Sequence, residues 1–366
     1  GDAVVRELTR EEKGKIRALV TKWCANYDRE YGCLPLDCEC YMLGKCWTGT
    51  YCRYFRDAVL PLDSVLEAAL TAARGASFAY LSAALENRLY APEKQTEQGA
   101  ASVPRLADRS HCTGCTACAA GCPKNAIRMV RDRTGFDFPE VDLNQCVHCG
   151  RCTSICPLLH ERGPAHLPAA FAAWNRDAAV RRDSTSGGAF TAIADCVLEG
   201  GGVVFGAALD GQQHLRHVAC FRKEDLWRLR GAKYVQSDLS GVFREVKEAL
   251  KTRQVLFTGT PCQVDGLYRY LGGRPENLTT CDLVCHGVPS PGVWEAEAKK
   301  RKQLANVRFR DKVEGWKNSH FTVAYTDGTV DSAPLFATGF GRAFGRALFL
   351  RQSCHCCQYT NLNRPG

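Results

Sequence analysis

The sequence predicts a mixed chain, part α+β and part α/β. A small cysteine-rich, mainly helical segment precedes two further domains. Three observations carry this reading. The 22 cysteines fall into three populations: six from Cys24 to Cys52, eight from Cys112 to Cys156, and eight from Cys196 to Cys357. Two polar, proline-bearing stretches, residues 91–103 and about 160–169 (HERGPAHLPA), read as linkers. From about residue 170 onward, apolar strand-like runs alternate with amphipathic helical stretches, as in α/β or α+β domains. The expected domains are therefore 1–90, 104–160 and 170–366, with 91–103 as a linker.

Composition narrows the class. A chain of 366 residues, 45% hydrophobic and 24% charged, is ordinary globular material for two or three domains. Collagen-like, coiled-coil and largely disordered proteins are excluded. No run of apolar residues is long enough to span a bilayer, and the N-terminus lacks the order of a secretory signal. Dense cysteine without an export signal points to a reducing, cytoplasmic setting, where thiols hold metals or do redox chemistry. The net charge of +9 suits an acidic partner protein or an anionic cofactor. It is too diffuse to indicate nucleic acid.

The middle segment carries the strongest signal. Cys112, Cys115, Cys118 and Cys122 precede Pro123, and Cys146, Cys149, Cys152 and Cys156 precede Pro157. Each run is C-x2-C-x2-C-x3-C-P, the spacing of two-cluster bacterial ferredoxins. Three thiolates of one tight loop reach three corners of one cubane, and the displaced fourth points at the other. Cys112, Cys115, Cys118 and Cys156 are thus expected to hold one [4Fe–4S] cluster, and Cys122, Cys146, Cys149 and Cys152 the second. Gly114 and Gly150 let backbone pass close to sulfur. Zinc would use pairs of C-x2-C and does not need two proline-closed sets of four. Ala126–Val130 and Asp137–Val141 read as the short strands of a ferredoxin fold. His111 and His148 read as loop residues. Residues 104–160 resemble bacterial two-cluster ferredoxins.

Further on, Ser184-Thr185-Ser186-Gly187-Gly188 precedes a helix expected over Phe190–Leu198, a place where anions are favoured. Plain helix capping is the competing reading. Arg230-Gly231-Ala232-Lys233-Tyr234 forms a basic, aromatic turn. A helix over Leu239–Lys251 and a strand over Val255–Phe257 follow, and the strand runs into Cys262. A second strand, Leu278–Val284, runs into Cys285 and His286. Both cysteines then sit at strand C-terminal ends, where α/β sheets place ligands. Buried structural cysteines are the alternative. Phe321–Tyr325 and Thr329–Val330 read as a hairpin through Asp327-Gly328. Cys354 and Cys357 make a late C-x2-C pair.

With STSGGAF, RGAKYVQS, LFTGTPCQ, CDLVCHGVPSP, FRDKVEGW and SCHCCQY in order, residues 104–366 resemble coenzyme F420 hydrogenase/dehydrogenase beta subunits, in particular those with an N-terminal two-cluster ferredoxin domain. The resemblance implies a third [4Fe–4S] cluster on Cys262, Cys285, Cys354 and Cys357. It also implies FAD beside that cluster. Ser184, Ser186, Gly187, Gly188, Arg230, Gly231, Lys233 and Tyr234 are the candidates to line the flavin site, with surface charges as the competing reading for Arg230 and Lys233. Cys281 and Cys356 fall outside this set and read as free thiols, and Cys196 and Cys220 as core residues. His286 reads as a tuning, relay or packing residue. No residue is singled out as catalytic. The chain stops where members of the resembled family run on, so a fragment is expected.

The segment from Cys24 to Cys52 has uneven spacing, and residues 5–75 resemble small cysteine-rich VLF-type proteins of mobile elements. A metal, zinc first, would stabilise so small a core. A helix is expected within residues 60–90, from Leu62, Val65, Leu66, Ala69 and Leu70, with Asp63 or Ser64 as cap. The expected function is a flavin-dependent iron–sulfur oxidoreductase working between a ferredoxin or other redox protein and a soluble two-electron substrate, coenzyme F420 or a related cofactor. The alternatives are an electron-transfer subunit with clusters only, and a nucleic-acid-binding N-terminal unit.

Overall fold

In a computed structural model, the described residues are 6–24, 27–28, 32–33, 40, 42–43, 45, 55, 59–72, 104–160, 169–360 and 364–365. The chain forms two compact units, residues 1–100 and 101–366. Among the described residues, no helix is long and apolar enough to cross a membrane.

In the first unit, helix Arg10–Trp23 opens with a reciprocal cap. The Thr9 hydroxyl accepts from the Glu12 amide, and the Glu12 carboxylate accepts from the Thr9 amide. Ile16, Leu19 and Val20 face a small core with Phe55, Val59, Leu60, Leu66 and Leu70. Strands β1 (Tyr27–Asp28) and β2 (Gly32–Cys33) pair antiparallel. The helix expected within residues 60–90 starts as a 3-10 turn, Leu60–Leu62, and continues as Ser64–Ala72, with Asp63 accepting from the Leu66 amide. The remainder of that range lies outside the described residues.

The second unit begins with hairpin β3 (Ile127–Arg131) and β4 (Asp137–Val141). A four-stranded sheet follows, made of β5 (Val203–Leu209), β6 (Leu215–Cys220), β7 (Val255–Gly259) and β8 (Leu278–Asp282), in spatial order β6-β5-β7-β8. β6 runs antiparallel to β5, whereas β5, β7 and β8 are parallel. Both faces of β5 and β7 are covered, so they read as unbroken apolar runs. Val203, Phe205, Val255 and Phe257 pack on helices Val242–Ala249 and Pro261–Leu271. Val204, Ala208 and Leu256 pack on helix Ala189–Glu199 and the turn Lys223–Arg228. A second sheet, β9 (Leu304–Asp311), β10 (His320–Tyr325) and β11 (Val330–Pro334), is antiparallel throughout. Its apolar face meets Trp294, Leu335 and Phe340.

Some boundaries shift from those expected. Helix Leu239–Lys251 contracts to Val242–Ala249, and β8 ends at Asp282 rather than Val284. Cys220 is buried as expected, but Cys196 is exposed. Thr191, Ala194 and Val197 are the positions of helix Ala189–Glu199 that face the core, which turns Cys196 outward.

Candidate redox centre

The two ferredoxin-type loops repeat one backbone path. Gly114 and Thr116 have φ of 68° and 64°, and His148 and Gly150, the equivalent positions of the second loop, have φ of 51° and 70°. Each loop thus takes one glycine and one other residue through the left-handed region, in opposite order. Short helices Ala117–Gly121 and Arg151–Ser154 follow.

This path gathers thiols from both loops. Cys112, Cys118 and Cys156 all lie within electrostatic reach of Cys115. Cys122, Cys146, Cys149 and Cys152 line one small cavity with Pro123, Lys124 and Ile127. The two groups of four are those expected from the spacing. Helix Pro261–Leu271 then ties them to a third group. Its capping box, between Thr260 and Gln263, starts it directly off β7. Parallel register sets Gly259 beside Asp282 on β8, so Cys262 and Cys285 leave the sheet side by side. Cys354 and Cys357 complete the group, and Cys262 feels the charge of all three. One further turn along the same helix, Gly266 abuts Cys115 of the first group.

Burial, helped by neighbouring thiols, pushes Cys118, Cys262 and Cys354 up to about 12. A bound cation would displace those protons. Donors already face the sulfurs. The Ala126 amide lies 3.3 Å from Cys122 Sγ, and the Val288 and Tyr359 amides lie 3.4 Å from Cys354 Sγ and Cys357 Sγ. Such donors stabilise thiolate charge. Among the described residues, no three His, Cys, Asp or Glu side chains are gathered as a single ion requires. A cubane interposes iron and sulfide between its thiolates, so its ligands stand further apart than those of one ion. Of the N-terminal cysteines, Cys24 and Cys40 are half-buried against the small core, and the side chains of Cys33, Cys38, Cys46 and Cys52 lie outside the described residues. The zinc expectation for residues 24–52 therefore falls largely outside them too.

The residues singled out for flavin converge on one place. The Ala232 amide donates to Thr185 Oγ1 at 2.8 Å, locking the Arg230–Tyr234 turn to the Ser184–Gly188 loop. Gly188, at φ 80°, is the N-cap of helix Ala189–Glu199 and provides no side-chain cap. Ser184 does not cap this helix: its Oγ donates back to the Val180 carbonyl at 2.7 Å. Gly187 fits against the Ala173 carbonyl, which a Cβ would meet at 2.8 Å. Ser186 is exposed, and its carbonyl accepts from Lys312 Nζ at 3.1 Å. Arg230 Nε donates to Thr191 Oγ1 at 3.0 Å. Gly231, at φ 82°, turns the chain so that the Lys233 ammonium folds back onto the carbonyls of Leu229, Arg230 and Gly231. Burial alone pulls Lys233 down to about 7. Tyr234 stacks on Phe344 at 4.3 Å, and Phe344 meets His286 edge-on at 5.2 Å. Cys285, the neighbour of His286, belongs to the third thiol group. Burial lowers the His286 pKa.

Sequence reasoning misses Lys312 and Arg351, and names Thr185 only as part of its loop. Lys312 lies inside FRDKVEGW, a stretch that contributes to the family resemblance but whose charge carries no local signal. Arg351 stands three residues before Cys354, and that proximity is signal enough to consider it.

The comparisons with known proteins agree in outline. Family models match at residues 5–73 (Cysteine-rich VLP), 111–158 (4Fe-4S dicluster domain) and 170–244 (Coenzyme F420 hydrogenase/dehydrogenase, beta subunit N-term), and the model for the C terminus of that same beta subunit matches at 252–365. An uncharacterized protein of Methanocaldococcus jannaschii is 25% identical over 205 residues, 47% of this chain and 56% of that protein. The chain thus spans little more than half the length of this curated relative. A polypeptide of the F420-reducing [NiFe] hydrogenase complex from Methanosarcina barkeri is 21% identical, with 52% of this chain and 66% of that one covered and a TM-score of 0.37. The dicluster model accounts for the first eight gathered thiols, and the two beta-subunit models together take in more than half of the residues. The chain belongs to the coenzyme F420 hydrogenase/dehydrogenase beta subunit family, with a 4Fe-4S dicluster domain ahead of it.

Proposed function

We propose that the chain is a flavin-dependent iron–sulfur oxidoreductase subunit. It would exchange electrons between a one-electron partner, a ferredoxin or other redox protein, and a two-electron substrate, coenzyme F420 or a related soluble cofactor. The observation that carries this reading is the joining of sites by helix Pro261–Leu271, which begins at the Cys262 group and touches the Cys115 group. Cys112, Cys115, Cys118 and Cys156 would hold one cluster, Cys122, Cys146, Cys149 and Cys152 the second, and Cys262, Cys285, Cys354 and Cys357 the third. When bound, such clusters pass single electrons and a flavin takes up a hydride pair.

The chain's own groups support a flavin near the third thiol group. Lys233 has no carboxylate partner among the described residues and is pulled down by burial, so an anionic phosphate or ring would restore its charge. The helix N-terminus at Gly188 carries no side-chain cap, and Thr185 ties its loop to the Arg230 turn. Tyr234 and Phe344 give an aromatic wall leading to His286, whose burial lowers its pKa and favours the neutral ring.

Anaerobic purification followed by iron, sulfide, flavin and zinc analysis tests the reading. About twelve irons and one flavin per chain are expected from three four-iron clusters. Eight irons without flavin would make the chain an electron carrier only, and a colourless protein carrying only zinc would overturn the proposal.

A further inference from the structure

Arg351 is fully buried, 1% exposed. Its Nε donates to the Cys112 carbonyl at 2.7 Å. One Nη donates to Gln236 Oε1 at 2.9 Å, and the other to the Asp137 carbonyl at 3.0 Å, while lying 3.7 Å from Cys112 Sγ. The rings of Phe138 and Phe136 flank the guanidinium at 4.2 and 5.3 Å. Gly114 fits beneath it, where a Cβ would come within 2.8 Å of Nη1. No Asp or Glu side chain among the described residues pairs with this cation.

Arginine does not deprotonate in proteins. Taking a permanent charge out of water without an opposite charge is strongly unfavourable. With clusters bound, the negative charge within reach would be that of the ligand thiolates: Cys112 Sγ lies 3.7 Å from one Nη, and Cys354 is three residues further along the chain. The backbone of Arg351 is fixed to the second group as well. Its amide donates to the Val288 carbonyl and its carbonyl accepts from the Cys354 amide. Val288 in turn donates to Cys354 Sγ at 3.4 Å. One residue therefore joins two thiol groups drawn from distant parts of the sequence: its side chain reaches Cys112 and its backbone is bonded into the turn that carries Cys354.

We propose that Arg351 is the shared counter-charge of two neighbouring cluster sites, the one at Cys112, Cys115, Cys118 and Cys156 and the one at Cys262, Cys285, Cys354 and Cys357. It holds the reduction potentials of both upward. The inference rests on the cluster reading above. Reduction by one electron adds one negative charge to a site, and a fixed cation stabilises that reduced form more than the oxidised one. Arg351 touches no substrate and acts through the charge it presents to the thiolates.

The test is a dithionite titration of the anaerobic full-length chain, followed by electron paramagnetic resonance, with iron measured first on every protein. Arg351→Gln is expected to keep its iron and to lower the midpoint potentials of both neighbouring sites, each by a factor of ten or more in the reduction equilibrium, about 59 mV for a one-electron couple; a shift at one site alone overturns the shared role. Arg351→Lys, which keeps the charge, restores most of the shift. Should Arg351→Gln not fold, Gln236→Glu places a carboxylate against the same Nη and is expected to shift the potential in the same direction. Unchanged potentials at full iron content, in Arg351→Gln or in Gln236→Glu where that variant decides, overturn the inference. Wild-type protein without iron would instead remove the cluster reading on which it stands.

Discussion

Gly266 rests against Cys115: a Cβ on Gly266 would lie 2.9 Å from both Cβ and Sγ of that cysteine. The contact joins the helix that begins at Cys262 to the first ferredoxin loop, with no room for a methyl group. Gly266→Ala is expected to cost about 1–3 kcal/mol from overpacking and to displace Cys115. Iron content should fall by about four atoms, one cubane's worth. Gly273, with nothing within 4 Å of its Cβ position, is the control. Equal iron in both alanine variants would mean that the contact does not constrain Cys115.

Cys262 begins the third thiol group and takes no part in the ferredoxin pair. Cys262→Ser is expected to remove about four irons while the spectrum of the pair survives. Unchanged iron would remove Cys262 from the ligand set.

Thr116 is a β-branched residue at φ 64°, and its buried hydroxyl has no hydrogen-bond partner among the described residues. Its equivalent in the second loop is Gly150. Both backbone strain and a lost water contact weigh against threonine here. Thr116→Gly should raise stability by about 1 kcal/mol, after allowing for the flexibility glycine adds to the unfolded chain. Chemical denaturation with intact clusters is the measurement, and a loss of stability would show that the threonine serves the loop.

His217 is buried against β7, the strand that leads to Cys262. Its Nε2 donates to the Thr258 carbonyl at 2.8 Å, and its Nδ1 accepts from Ser237 Oγ at 2.9 Å. Ser237 in turn accepts from Gln263 Nε2 at 3.0 Å. Burial lowers the His217 pKa from its ordinary 6.5 to about 4, so the fold holds the neutral ring. The unfolded chain binds the proton first, and stability is therefore complete above about 6.5 and lost as pH falls toward 4. Between about pH 7 and 5.5 this one group should cost about 1 kcal/mol. In His217→Gln that component of the pH dependence should vanish from urea denaturation curves. A parallel pH dependence in both proteins would exclude His217 as its source.

Lys233 provides a test of the flavin reading itself. Loss of a charge-assisted hydrogen bond costs about 1.5–3 kcal/mol, so Lys233→Met should weaken flavin retention roughly tenfold or more. An anion beside the ammonium raises its pKa from about 7, so binding takes up a proton. Affinity should then fall as pH rises above about 7 in the wild type and stay flat in the variant. Flavin fluorescence on release measures both, and identical retention would place the flavin elsewhere.

Much of this centre is legible in the sequence. The eight ferredoxin cysteines repeat a spacing whose geometry is local, so sequence alone groups them as the fold does. β5 and β7 show as continuous apolar runs because helices cover both faces. Cys262, Cys285, Cys354 and Cys357 are reached only through family resemblance, since nothing local links residues so far apart. Cys196 turns outward against expectation because a single cysteine in an apolar helix does not reveal which side meets the core. Arg351 escapes despite its nearness to Cys354: its partners, the Cys112 and Asp137 carbonyls and Gln236, are backbone atoms and an amide whose pairing leaves no local pattern. Local patterns are readable residue by residue, and long-range polar contacts are not.

The separation of the third thiol group along the chain has a consequence for biogenesis. The first ferredoxin loop places Cys112, Cys115 and Cys118 together within a single turn of backbone. The Cys262 group needs the parallel alignment of β7 and β8 and the late segment Arg351–Cys357 docked beside them. A cluster held there would be captured only after long-range folding is finished, so its loading would mark the matured polypeptide.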